Sequence, residues 1–241
     1  MSGTLTGVGV GPGDPELMTI RAARCIADAD CVAYIGADGR SSRARRIAEL
    51  ALRPGTPEIA IDMPMRADPA AGQAAYDRGA ARIATELSAG RDVAFLCEGD
   101  PLLYGSFIYL LERLRPAHAT AVIPGLPSFA ACAAALQQPL VRRTDSFGLV
   151  PGTLGDAELL QRLSVLDAAA IMKVGRHRAR VAAVLQQLGR LDDAVVVEEV
   201  SGLQQRIRPL AEVTDDLPYF ATVILASRQG TADLSAGETG S

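Results

Sequence analysis

Short apolar runs alternate with longer stretches of helical period, and turns rich in Gly, Pro and Asp separate them. That rhythm predicts βα units and a parallel sheet. Thr4–Val10 reads as a strand and residues 9–14 as a turn. Asp14 caps the next helix, Pro15 takes its first position and Glu16 meets its dipole, with the helix running to Ala29. Cys31–Ile35 is a strand, Ser41 and Ser42 cap a short helix, and Glu58–Ile61 is the third strand. From Pro69 to Ala89 a helix places Ala75, Tyr76, Gly79, Ile83 and Leu87 on one face. The apolar strand Asp92–Cys97, the helix Ser106–Leu114, the strand Thr120–Ile123 and the Ala-rich helix Pro127–Leu136 complete the series.

The pattern changes after Pro139. Phe147–Val150, Ala168–Val174, Ala194–Glu199, Arg206–Leu210 and Phe220–Ala226 read as strands, with helices at Asp156–Leu163 and His177–Leu188. The expected architecture is therefore α/β in two domains. The break falls near 138–145, giving domains 1–140 and 141–230, followed by a small, polar, flexible tail, 231–241. Apolar residues make up 49% of the 241, and a chain of this size buries roughly 70–75% of its unfolded surface.

Composition excludes several classes of function. Aromatics are 4% with no Trp, and the net charge is −4, so neither base stacking nor phosphate attraction is supported and no nucleic-acid partner is expected. The four cysteines form no CxxC pair and only two histidines occur, so no metal site is expected. No run is long enough for a membrane span and the first residues lack a basic leader, so the expected location is a reducing cytoplasm. Lys173 is the only lysine among 24 basic residues.

Ligands of open α/β sheets bind outside the carboxyl ends of the strands. The turns at 9–16, 97–106 and 123–129 are thus expected to converge. The first follows a strand and opens a helix, as a dinucleotide site would, with Asp38 placed to hold a ribose. The G-x-G-x-x-G spacing fails, however. Counting from Gly7 the sixth residue is Pro12, and from Gly9 it is Asp14. Pro12 lacks an N–H and Asp14 repels phosphate.

Taken in order, GVGVGPGDPEL, EGDPLLYGS and IPGLPS with AAALQQPL resemble the tetrapyrrole (corrin/porphyrin) methylases over residues 5–227. EGDPLLYGSFIYLLERL, LVPGTL and AAAIMKVGR are similar to the precorrin-2 C20-methyltransferase branch of cobalamin biosynthesis. Tyr104-Gly105-Ser106 departs from the GGDP–FGR pattern of uroporphyrinogen methylases, and Pro127 departs from the Ser or Thr of the C20 branch.

The resemblance implies two α/β domains with S-adenosylmethionine in an interdomain cleft, a homodimer, and methylation of precorrin-2 at C20 to precorrin-3A. By motif it carries cofactor contacts to Gly99, Asp100, Tyr104, Ser128, Phe129, Met172, Lys173, Val174, Phe220, Ala221 and Thr222. It carries acceptor contacts to Pro12, Gly13, Asp14, Arg40 and Lys173, and offers Asp14 as the base. Arginines pair with the acceptor's carboxylates bidentately, and Arg43, Arg45, Arg46, Arg142, Arg143, Arg176, Arg178 and Arg180 are further candidates. The alternatives are cobalt-factor II or another corrin ring position and, outside the family, an NAD-dependent oxidoreductase or a non-catalytic binding module.

Overall fold

The computed structural model describes residues 2–37, 42–64 and 69–227. Asp38, Arg40, Ser41 and the tail 231–241, each named above, lie outside the described residues. The chain divides into two compact units, Met1–Pro127 and Ser128–Ser241.

The first unit holds β1 (Thr4–Gly9), α1 (Ile20–Asp28), β2 (Cys31–Ala37), α2 (Arg43–Ile47), β3 (Glu58–Met63), α3 (Pro69–Ser88), β4 (Val93–Cys97), α4 (Phe107–Leu114) and β5 (Ala119–Ile123). Its sheet has the order β3-β2-β4-β1-β5 and every pairing is parallel. Strand alternation feeds two cores. Val93, Phe95 and Cys97 face α3 and α4, where Tyr76, Ile83, Leu87, Phe107 and Leu110 are buried. Ala94 and Leu96 face α1 and α2, against Ala22, Ile26, Ala44 and Ile47. Gly79 belongs to the α3 face as expected, because a Cβ there would lie 2.4 Å from Ile61 Cδ1.

The helix read from Asp14 to Ala29 is two pieces. Asp14 does accept the Glu16 N–H at 2.9 Å, but only a 3-10 turn, Pro15–Leu17, follows. Met18 is extended, and Thr19 Oγ1 accepts the Ala22 N–H at 3.1 Å to cap α1. Thr19 is a second N-cap inside the first helical pattern, and it restarts the helix.

The second unit holds α5 (Ser128–Leu136), β6 (Phe147–Pro151), α6 (Asp156–Ser164), β7 (Ala168–Met172), α7 (Arg178–Gln187), β8 (Ala194–Glu198), β9 (Arg206–Pro209) and β10 (Ala221–Leu225). The sheet order is β6-β7-β10-β8-β9; β6 and β7 are parallel and the other pairs antiparallel. One core joins α6, α7 and the sheet through Leu159, Leu163, Val181, Leu185, Ile171 and Val223. The expected break at 138–145 comes one helix too late. By its βα rhythm α5 reads as the last helix of the first domain, yet it packs on β10, with the Cys132 thiol hydrogen-bonded to Thr222. An Ala-rich helix has no strongly polar face to declare which sheet it covers.

Arg190 is a structural residue that the sequence did not single out. It is 9% exposed and donates to the carbonyls of Leu166 (3.1 Å), Asp167 (2.9 Å) and Ala226 (2.8 Å). All four cysteines are free thiols. Burial pushes Cys31 up to about 11 and Cys97 and Cys132 up to about 12. They are inert packing groups.

Candidate active site

The strand order locates a crevice in the first unit. From β1 the chain crosses to β2 on one side of the sheet, while from β4 it crosses to β5 on the other. Neighbouring strands whose connections depart in opposite directions open a crevice at their carboxyl ends. The turns 9–16 and 97–106 stand there, and the start of the third turn joins them. Val10 N donates to Cys97 O at 2.9 Å, and Gly99 N to Gly11 O at 2.8 Å. The expected convergence of the turns therefore holds within this unit.

Glycine is required where the three backbones touch. A Cβ on Gly125 would lie 2.1 Å from Gly99 O and 2.8 Å from Gly9 Cα, and one on Gly9 would lie 2.5 Å from Gly125 N. Gly99 has a different reason. Its φ is +62° and a Cβ would meet nothing closer than 3.8 Å, so the left-handed backbone rather than crowding selects glycine.

Asp100 fastens the turns. Oδ1 accepts from Leu102 N at 2.9 Å and Oδ2 from Gly125 N at 3.1 Å. Pro12 is buried and its carbonyl accepts from Arg43 Nη2 at 2.9 Å, a contact the sequence reading missed. Tyr104 is held at φ +55°, and its ring is left 44% exposed beside the crevice. Gly105 makes that bend possible, because a Cβ there would lie 2.3 Å from Pro101 O. A bulky residue in the left-handed region costs about 1–3 kcal/mol, which concentrates at functional sites.

The donor inventory discriminates between cofactors. A diphosphate needs backbone amides at a strand-to-helix turn. Here Pro12 has none, Asp14 holds the Glu16 amide, and Asp100 holds those of Leu102 and Gly125. Carboxylates occupy the places where phosphate oxygens would bind. The set fits a phosphate-free, cationic cofactor and does not fit NAD.

In the second unit, Val223 pairs antiparallel with Ile171, so the start of β10 runs alongside the end of β7. This brings the segments 172–174 and 220–222 together, but not all their side chains are available. Val174 (0% exposed) and Ala221 (3%) belong to the hydrophobic core and Thr222 (5%) is turned to Cys132, so those three offer backbone only. Both faces of β10 are covered, Ala221 by the core and Thr222 by Cys132 of α5, so alternation leaves neither side chain open. Met172 is half-buried, and its carbonyl accepts from Gly152 N at 2.7 Å. Lys173 is exposed at φ +57°, one residue past the strand that it was expected to close. Phe220 is 38% exposed and packs edge-on to Tyr219. Ser128 begins α5, and the Phe129 ring lies 5.5 Å from that of Phe147.

No group of three or more His, Cys, Asp or Glu could hold a metal ion among the described residues. None of the described helices is long and apolar enough to cross a membrane.

Comparison with known proteins converges on one family. The sequence profile of the Tetrapyrrole (Corrin/Porphyrin) Methylases matches residues 4–214. Cobalamin biosynthesis protein CobIJ of Mycobacterium tuberculosis is 44% identical over 92% of this chain, which spans about half (46%) of that protein. Precorrin-2 C(20)-methyltransferase of a Sinorhizobium species is 40% identical over 92% of this chain and 95% of its own length. Cobalt-precorrin-2 C(20)-methyltransferase of Salmonella typhimurium is 36% identical over 93% and 97%. Among solved structures, uroporphyrin-III C-methyltransferase of Thermus thermophilus complexed with S-adenosylhomocysteine has a TM-score of 0.68 at 25% identity, covering 93% of this chain and 92% of that one. A cobalt precorrin-4 methyltransferase shares the fold, with a TM-score of 0.73 at 20% identity over 92% of this chain and 94% of that one. The converging glycine turns, the carboxylate-filled amides and these matches together establish that the chain belongs to the tetrapyrrole methylases.

Proposed function

We propose that the chain transfers a methyl group from S-adenosylmethionine to C20 of precorrin-2, forming precorrin-3A in cobalamin biosynthesis. The observation that carries this reading is the 40% identity to a precorrin-2 C(20)-methyltransferase across nearly the whole of both chains. The 36% identical Salmonella protein favours a second reading, in which the acceptor already holds cobalt.

When bound, S-adenosylmethionine supplies an electrophilic methyl on a sulfonium. The acceptor's meso carbon is enamine-like. With the cofactor held by residues of this chain, that carbon would take the methyl in line, releasing a neutral thioether, and a base on the chain would accept the ring proton. The chain's part is to hold the two reactants aligned and dry. In the first unit we assign Gly99, Asp100 and Tyr104 to the cofactor, and Pro12, Gly13 and Asp14 to the acceptor. In the second unit Ser128, Phe129, Met172, Lys173 and Phe220 are assigned to the cofactor, along with the backbone of Val174, Ala221 and Thr222. Lys173 also serves the acceptor. Asp14 is the proposed base: Oδ1 is anchored by the Glu16 amide, and the carboxylate stands half-buried on the crevice turn.

The decisive experiment is mass spectrometry of the chain incubated with methyl-labelled cofactor and precorrin-2, with the cobalt form in parallel. The expected product carries one labelled methyl. Transfer to the cobalt form alone selects the second reading, and transfer to neither refutes both. The proposed assembly is a homodimer, which a monomer mass in sedimentation at micromolar protein would refute. The proposed setting is the cytoplasm, in keeping with four unpaired cysteines.

A further inference from the structure

Positive charge gathers where the chain leaves β7. Lys173, Arg176, Arg178 and Arg180 follow one another within eight residues of a chain whose net charge is −4. The fold pins two of them without neutralising them. Arg178 Nη2 donates to Thr214 O at 2.7 Å, and Arg180 Nη2 to Gly152 O at 2.8 Å. Carbonyls orient a guanidinium but leave its charge in place.

The carboxylates nearby do little to cancel it. Asp156 Oδ1 is 3.5 Å from Arg180 Nε, and its side chain is 74% exposed. Asp215 is bonded to Arg208 at 3.1 Å, and Asp216 is exposed. Arg176 is exposed and makes no hydrogen bond or ion pair with any described residue. His177 lies within the cluster, and burial together with Arg180 and Arg176 holds its imidazole below the usual range. It is therefore uncharged at neutral pH and adds a ring between the cations.

The same residues stand where α7 begins, with no acidic residue in its first turn. Cations there oppose the helix dipole; their carbonyl bonds account for Arg178 and Arg180 in the fold, whereas Arg176 makes none. An exposed guanidinium with no partner among the described residues, set beside other cations, suits a ligand of opposite charge. The site is flanked by two turns, 151–155 and 173–177, that leave the carboxyl ends of the parallel pair β6 and β7.

We propose that Arg176, supported by Lys173 and Arg180, forms a carboxylate subsite in the second unit that takes a side-chain carboxylate of the tetrapyrrole acceptor. This rests on the acceptor class given under Proposed function. The cofactor's amino-acid carboxylate is the other source of the same chemistry, and the two are separable by measurement.

The test compares Arg176→Ala and Arg176→Lys with the unaltered chain. Three quantities are read: KM for precorrin-2 at saturating cofactor, the calorimetric Kd of S-adenosylhomocysteine, and the salt dependence of KM. Arg176 is exposed, so its replacement preserves the fold, which circular dichroism checks. For Arg176→Ala, KM is expected to rise about tenfold, the worth of one charge-assisted pair. Both kcat and the S-adenosylhomocysteine Kd should stay within about twofold on the same ground, and KM should depend less steeply on salt. Arg176→Lys should recover part of the loss. An unchanged KM overturns the proposal. A weakened Kd with unchanged KM also overturns it, by assigning the subsite to the cofactor. If the unaltered chain methylates neither form of the substrate, the catalytic reading has failed separately. An absorbance titration with two-electron-oxidised precorrin-2 then still decides the subsite, since equal affinity for unaltered and Arg176→Ala chains refutes it.

Discussion

Gly125→Ala is expected to be far more damaging than Gly99→Ala, although both glycines belong to the same convergence of turns. The new methyl at 125 would lie 2.1 Å from Gly99 O and 2.8 Å from Gly9 Cα, and all three neighbours are backbone. Comfortable heavy-atom separation is about 3.5–4 Å, so the turn must withdraw by about 1 Å or more. That displacement costs about 1–3 kcal/mol of overpacking. It also breaks the bond from Gly125 N to Asp100 Oδ2, a carboxylate bond worth about 1.5–3 kcal/mol. The sum is about 2.5–6 kcal/mol. At Gly99 a methyl finds its nearest neighbour at 3.8 Å and only the positive φ resists it, which costs about 1–2 kcal/mol. Urea unfolding followed by circular dichroism gives the comparison. Gly125→Ala should lower the midpoint by roughly 2 M, and Gly99→Ala by about 1 M or less. Adding Asp100→Ala to Gly125→Ala should cost less than the sum of the singles, because both remove the same bond. If Gly125→Ala is no worse than Gly99→Ala, the backbone junction is not tight and the account of these turns fails.

Three other outcomes follow from the geometry. Arg190→Ala strands one buried and two half-buried carbonyls and should lower stability by about 2–3 kcal/mol; Arg190→Lys should recover less than half, because one ammonium cannot serve all three, and thermal unfolding checks both. Lys173→Gly should relieve the left-handed backbone and gain about 1 kcal/mol of stability while methyl transfer falls, and Lys173→Arg should also lose turnover at unchanged Tm; full activity in both variants removes any role for this side chain. His177 has a folded pKa below its unfolded value, so its contribution is intact above about pH 6.5 and lost as pH falls through the lower folded value. His177→Gln should therefore flatten the acid limb of a stability–pH curve, and an unchanged limb would refute that assignment.

Most strands were legible because their apolar runs end at Gly, Pro or Asp, and every strand that was read exists with ends shifted by a residue or two. Ownership of a helix was not legible. Alanine packs equally well on either sheet, so α5 declared its place only through its partner β10. The crevice turns were found from their glycines and strand ends, yet nothing local in the sequence showed that Gly9 and Gly125 serve each other's backbones. Asp100 was singled out by its motif, but its bonds to Leu102 and Gly125 depend on a loop that no local pattern reveals. Arg190 had no signal, since a buried guanidinium that caps carbonyls has the same one-letter code as the many solvated arginines around it.

The central position of β1 sets a timetable for synthesis. Leu5 pairs with Val93 on one side and Thr120 on the other, so neither neighbour of β1 exists until most of the first unit has been made. At about 5–20 residues per second, β1 waits roughly 5–20 s for its second partner. An apolar strand left unpaired that long is a nucleus for pairing with other chains. Gly7 and Gly9 reduce the hazard, because glycine weakens an isolated strand and disfavours cross-β stacking. Gly7 is fixed in the finished fold by the Phe107 ring, 2.5 Å from where its Cβ would stand. The same two positions thus keep β1 from associating early and admit its partners closely once they arrive.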